Sequence, residues 1–159
     1  MSERPVIIGF DGTPAAEQAI HEAATVLAPR HAYVVVVWEA ERAFDLTDIP
    51  SMSLGAPSAA IDIRNAAEVD EAMAESARRL AERGAALATA AGFQAEGLAV
   101  ADEVTVADTL IRLAKQFDAS VIVVGSHGHH GLTELLLGST TRDVLKHAPV
   151  PVLVTRARD

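Results

Sequence analysis

The sequence predicts an α/β fold: a five-stranded parallel sheet, doubly wound, with helices on both faces. Three observations carry this. Short β-branched runs alternate with Ala-rich stretches whose apolar residues recur at helical spacing. The runs are apolar throughout instead of alternating, as in strands covered on both faces. Each opens into glycine or turn residues before the next helical stretch. A chain of 159 residues fits one domain, residues 1–159, because dividing it would leave two marginal cores. Half of its residues are hydrophobic but only 4% are aromatic, so the core is expected from Ala, Val, Leu and Ile.

Pro5 to Phe10 reads as a buried first strand, closed by the turn sequence Asp11-Gly12-Thr13-Pro14. From Ala15 to Ala28, residues Ala16, Ala19, Ile20, Ala23 and Leu27 mark a helix that Pro29 stops. Tyr33 to Trp38 is a second, central strand beside the first. Residues 42–66 show no sustained period and read as a loop excursion, longer than an ordinary connection. Ala66 to Ala91 predicts a long helix with a stripe of Val69, Met73, Ala77, Leu80, Leu87 and Ala91, stopped by Gly92. Phe93 to Val100 is a weaker strand with Gly97 inside it. Thr105-Val106-Ala107-Asp108 reads as a capping box opening a helix with Leu110, Ile111, Ala114 and Phe117. Ser120 to Gly125 is a fourth strand. After Gly138, the polar run Ser139 to Asp143 opens a last helix, and Val150 to Val154 is a fifth strand.

Composition narrows the function. The net charge of −9 repels a phosphate backbone, and the basic residues are scattered, so nucleic acid is not an expected partner. A nucleotide is still admissible, because backbone N–H groups at a helix N-terminus bind phosphate without Lys or Arg. The absence of cysteine removes disulfides, thiolate nucleophiles and Cys-type metal sites. The N-terminal residues carry no signal-peptide pattern, and no apolar run approaches the ~20 residues that span a bilayer. A cytoplasmic protein that does not engage membranes is the expectation.

In an open parallel sheet, ligands bind beyond the carboxyl ends of the strands, where strand order reverses. That selects Gly9-Phe10-Asp11-Gly12, Val37-Trp38-Glu39 and the stretch from Gly125 to Gly138. Neither G-x-x-x-x-G-K-[ST] nor a first-strand G-x-G-x-x-G is present, which argues against a P-loop NTPase and a typical NAD enzyme. What remains is Gly125-x2-Gly128-x9-Gly138-Ser139. Its glycines let backbone N–H groups approach an anion, with Ser139 and Thr140 at the positive end of the last helix. On spacing alone two readings stand: a phosphate cradle, or Gly125, Gly128, Gly131 and Gly138 serving only turns and caps.

The segment Gly125-Ser126-His127-Gly128…Leu135-Leu136-Leu137-Gly138-Ser139-Thr140…His147-Ala148-Pro149-Val150-Pro151-Val152-Leu153-Val154 resembles the signature of the universal stress protein family. The likeness extends back through Phe117 to Val124 and to the first strand with Asp11. The resemblance implies a three-layer, Rossmann-like open sandwich of the adenine nucleotide alpha hydrolase-like type. It implies that Gly125, Gly128, Gly138 and Ser139 hold phosphates and ribose, that Asp11 contacts the adenosine part, and that the backbone at Val37 and Trp38 meets the adenine edge. This sequence keeps the glycine motif of the ATP-binding branch. It departs from the commonest pattern in Gly9 beside Phe10, and in Val37 where His is frequent. Trp38 has two readings, a platform for adenine or a core residue.

His127, His129 and His130 invite a metal reading, yet no further His or Cys cluster completes a four-ligand site. Their better functional role is beside the phosphates, where imidazoles donate hydrogen bonds; the alternative is solvated loop residues. Asp11 can help to hold Mg²⁺ with the phosphates of ATP, ADP or AMP. No Lys lies in the glycine loop, so binding is favoured over efficient hydrolysis. The leading expectation is a nucleotide-responsive switch acting on an unknown protein partner. The alternatives are a slow ATPase or adenylate-transfer enzyme, or a nucleotide-free dimeric scaffold. Val150 to Val154, an apolar strand without Lys, predicts homodimerisation if it lies at a sheet edge, and the resemblance implies the same.

Overall fold

A computed structural model of the protein describes residues 3–39, 59–102, 104–126 and 137–156, with side chains in the long helix from Ala67 on. The elements in chain order are β1 (Val6–Gly9), α1 (Pro14–Leu27), β2 (His31–Glu39), α2 (Ala59–Ala91), β3 (Gln94–Asp102), α3 (Val106–Gln116), β4 (Val121–Gly125), α4 (Ser139–His147) and β5 (Val152–Thr155). All strand pairs are parallel, in the order β3-β2-β1-β4-β5. The fold is the three-layer open sandwich read from the sequence.

Side-chain alternation along the strands explains the layers. Val6, Ile8 and Phe10 of the first strand, with Val34 and Val36 of β2, face α1 and α2 through Ile20, Ala23, Ala77, Ala81 and Ala88. Ile7, Val35, Ile122 and Val124 face the other way, onto Leu110, Leu113 and Ala114 of α3 and Val144 of α4. The two faces therefore draw on neighbouring positions of the same apolar runs, which is why those runs carry no polar alternation.

Helix α2 begins at Ala59, so the predicted excursion over 42–66 is too long at its C-terminal end; positions 42–58 lie outside the described residues. After Pro57 no Gly or Pro interrupts the chain until Gly84, so a helix already nucleated downstream extends backwards at little cost. The stripe on α2 differs as well. Ala77, Ala81, Ala85 and Ala88 are the buried positions, while Val69 is 43% exposed and Leu80 and Leu87 are half-buried.

Close approach selects these small residues. A Cβ at Gly97 would lie 2.5 Å from the Ala81 carbonyl oxygen, so α2 rests directly on the backbone of β3. Gly97 weakened the strand pattern, yet β3 runs nine residues, two beyond the predicted end. The Thr105 cap stands: its hydroxyl accepts the Asp108 N–H at 3.1 Å and donates to the Asp108 carboxylate at 2.8 Å.

Candidate nucleotide site at the switch point

Strand order reverses at β1, whose successor β2 lies on one side while β4 lies on the other. Register brings the candidate residues to one edge. Gly9 pairs Val35 and Ile8 pairs Val123, so Asp11, Val37 and Gly125 all emerge at the carboxyl end of the sheet.

The turn after β1 is fixed locally. Gly12 has φ +78°, a left-handed conformation that disfavours any side chain. The Asp11 carboxylate accepts the Thr13 N–H at 3.0 Å and the Thr13 hydroxyl at 2.6 Å. Thr13 in turn caps α1 by accepting the Ala16 N–H at 3.2 Å, with Pro14 at the first helical position. Thr13 was read from sequence only as a turn residue. The Asp-Gly-Thr-Pro order is the signal that fits its capping role.

Gly9 has a packing reason to be glycine, since a Cβ there would meet Leu110 Cδ1 at 3.2 Å. Val37 is half-buried on the α3 side, and Trp38 is half-buried against the α1 and α2 side of the core. Of the two readings for Trp38, the side chain has the packing one.

The end of β4 is tied to β5 by one bond and to α4 by two. The Ser126 N–H donates to the Thr155 carbonyl at 2.8 Å, the Gly138 N–H to the Ser126 carbonyl at 3.0 Å, and the Thr141 hydroxyl to the Gly125 carbonyl at 2.8 Å. Gly138 is the N-cap of α4 and supplies no side-chain cap; Ser139 is exposed and Thr140 half-buried in the first turn. Ser139 and Thr140 are the first two residues of the helix, one and two positions past its N-cap.

Two features of this N-terminus stand out. Gly138 has φ −59°, and a Cβ there would come no nearer than 3.7 Å to the described atoms, so neither backbone nor packing among the described residues requires glycine. The first turn of α4 has no acidic residue, whereas α1 carries Glu17 and α3 carries Asp108. Among the described residues its dipole meets no carboxylate in that turn, and the N–H groups of Ser139, Thr140 and Thr141 have no intrahelical acceptor. His127, Gly128, His129, His130 and Gly131 lie outside the described residues.

Residues 3–156 match the universal stress protein family. The chain belongs to this family. A universal stress protein of Mycobacterium tuberculosis is 33% identical over 155 residues, covering 96% of this chain and 45% of the relative. This universal stress protein thus spans about half the length of the curated relatives that it matches. Among solved structures, a protein of Methanocaldococcus jannaschii superposes with a TM-score of 0.75 at 20% identity, over 100% of this chain and 99% of its own. The universal stress protein of Archaeoglobus fulgidus in complex with dAMP superposes with a TM-score of 0.61 at 19% identity, over 97% and 98%. At these identities the likeness establishes the fold. Among the described residues, no helix is long and apolar enough to cross a membrane.

Proposed function

We propose that this universal stress protein binds an adenine nucleotide, ATP or AMP, at the switch point and acts as a cytoplasmic regulatory switch. The observation that carries the reading is Gly138: a glycine that the described fold does not need, at an acid-free helix N-terminus beside the end of β4. A missing Cβ there leaves room for a phosphate to reach the N–H groups of Ser139 and Thr140. In this reading Gly125 and Ser126 at the end of β4 face the phosphates, and the sequence motif assigns Gly128, Gly131, His127 and His129, which lie outside the described residues, to the same ligand end. Asp11 holds the ribose side, and the backbone at Val37 and Trp38 meets the adenine edge. The dAMP held by the Archaeoglobus fulgidus protein supports an adenine nucleotide as the ligand.

Among the described residues, no group of three His, Cys, Asp or Glu side chains is placed to hold a metal. In this reading Mg²⁺ enters with the triphosphate, which supplies oxygens of its own beside the Asp11 carboxylate. Homodimerisation through β5 is part of the same proposal. Among the described residues the strand is at the sheet edge, with Val152, Leu153 and Val154 half-buried and no further strand on its outer side, the side proposed to meet a second copy.

The test is equilibrium dialysis of the purified chain against ATP, AMP and GTP, with mass spectrometry of whatever co-purifies. Retention of the adenine nucleotides over GTP is expected; equal retention of all three, or of none, overturns the assignment.

A further inference from the structure

We propose that Thr141 is the positioning residue for the phosphate end of the site, an inference that rests on the nucleotide reading above. Thr141 is only 4% exposed, although it lies in the first turn of a surface helix within a run of polar residues. Its hydroxyl is turned inward, away from solvent, and donates to the carbonyl of Gly125, sixteen residues earlier, at 2.8 Å.

That carbonyl needs a partner. The β1–β4 register ends at Ile8 and Val123, so Gly125 lies past the ladder on the β1 side. On the β5 side, Ser126 takes over, donating its N–H to Thr155. Thr141 therefore satisfies a backbone acceptor that the sheet does not reach, and in doing so it ties the first turn of α4 to the last residue of β4. The other described bond across this junction, from the Gly138 N–H to Ser126, is made by backbone alone. Of the two, only the Thr141 bond depends on a side chain.

The consequence is geometric. The N–H groups proposed to meet phosphate belong to Ser139, Thr140 and Thr141, and Gly125 is the other end of the cradle. Both must hold their separation to within a fraction of an ångström for several N–H groups to converge on one anion. Without the hydroxyl, α4 remains a helix but its N-terminus is no longer pinned to β4. Phosphate binding weakens while the adenosine end, formed at Asp11 and β2, does not.

The variants are Thr141→Val, which keeps the shape and removes the hydroxyl, and Thr141→Ser, which restores it. Affinities for ATP and for adenosine are measured by competition against a fluorescent ATP analogue on folded protein. Thr141→Val is expected to lose about tenfold in ATP affinity and less than about twofold in adenosine affinity, with Thr141→Ser within about threefold of native. Should Thr141→Val not fold, Thr141→Cys, whose thiol is a weak donor, carries the same comparison. Native-like ATP affinity in the hydroxyl-free variant overturns the proposal, as do equal losses for ATP and adenosine, which would mark a purely structural threonine. If the native chain binds neither ligand, the nucleotide reading fails and this inference with it, an outcome distinct from the other two.

Discussion

At the scale of single residues, glycines in this chain serve unlike purposes, and substitution separates them. Gly97 is held by contact, its missing Cβ filled by the Ala81 carbonyl at 2.5 Å. Gly97→Ala is predicted to destabilise the fold by about 1–3 kcal/mol, read as a lower urea midpoint. Gly138 has no such neighbour among the described residues and an ordinary φ of −59°. Gly138→Ala is predicted to change stability by less than about 1 kcal/mol, because restricting the unfolded chain offsets the poorer N-cap propensity of Ala. The two substitutions look alike in sequence and are expected to differ in their cost to stability.

At the scale of elements, caps and edges decide the behaviour. The α3 cap rests on the Thr105 hydroxyl, and Thr105→Ala is predicted to cost about 1 kcal/mol in thermal or chemical unfolding. For β5, the prediction is a dimer of twice the chain mass in size exclusion with light scattering, and a monomer when Leu153 or Val154 is replaced by Lys. A native chain that elutes as a monomer at micromolar concentration contradicts the edge-pairing proposal.

The elements also show what sequence does and does not reveal. The strands β1, β2 and β4 were legible because burial on both faces writes continuous Val and Ile runs. The start of α2 was not, since Ile61 and Ile63 alternate in a strand-like way and the preceding Pro and Ser suggest a loop. Of the stripe read on α2, Ala77 is buried and Leu80, Leu87 and Ala91 pack half-buried against the core, while the buried Ala81, Ala85 and Ala88 were missed. Hydrophobicity ranks Leu higher, but a helix lying against the strand backbone admits only small side chains. At the site, glycine spacing pointed to the end of β4. The Thr141 bond to Gly125 is a contact across the fold that the linear pattern does not encode, whereas the cap made by Thr13 is local and the Asp-Gly-Thr-Pro order carries it.

At the scale of the whole molecule, a parallel sheet with its reversal at β1 gathers three loops at one edge. The proposed site puts the positive end of α4 among them, a local attractor for an anion in a chain whose net charge is −9. Such a site couples ligand to stability. ATP at about 100 times its dissociation constant is predicted to add about 2.7 kcal/mol, raising the melting temperature by several degrees. The measurement that bears most directly on the central claim is calorimetric titration of ATP into the native chain and into Gly138→Ala, with both melting temperatures recorded. The account predicts apo stability within about 1 kcal/mol of native in the variant together with at least about a tenfold loss of ATP affinity. Undiminished ATP affinity in a fully folded Gly138→Ala would contradict it.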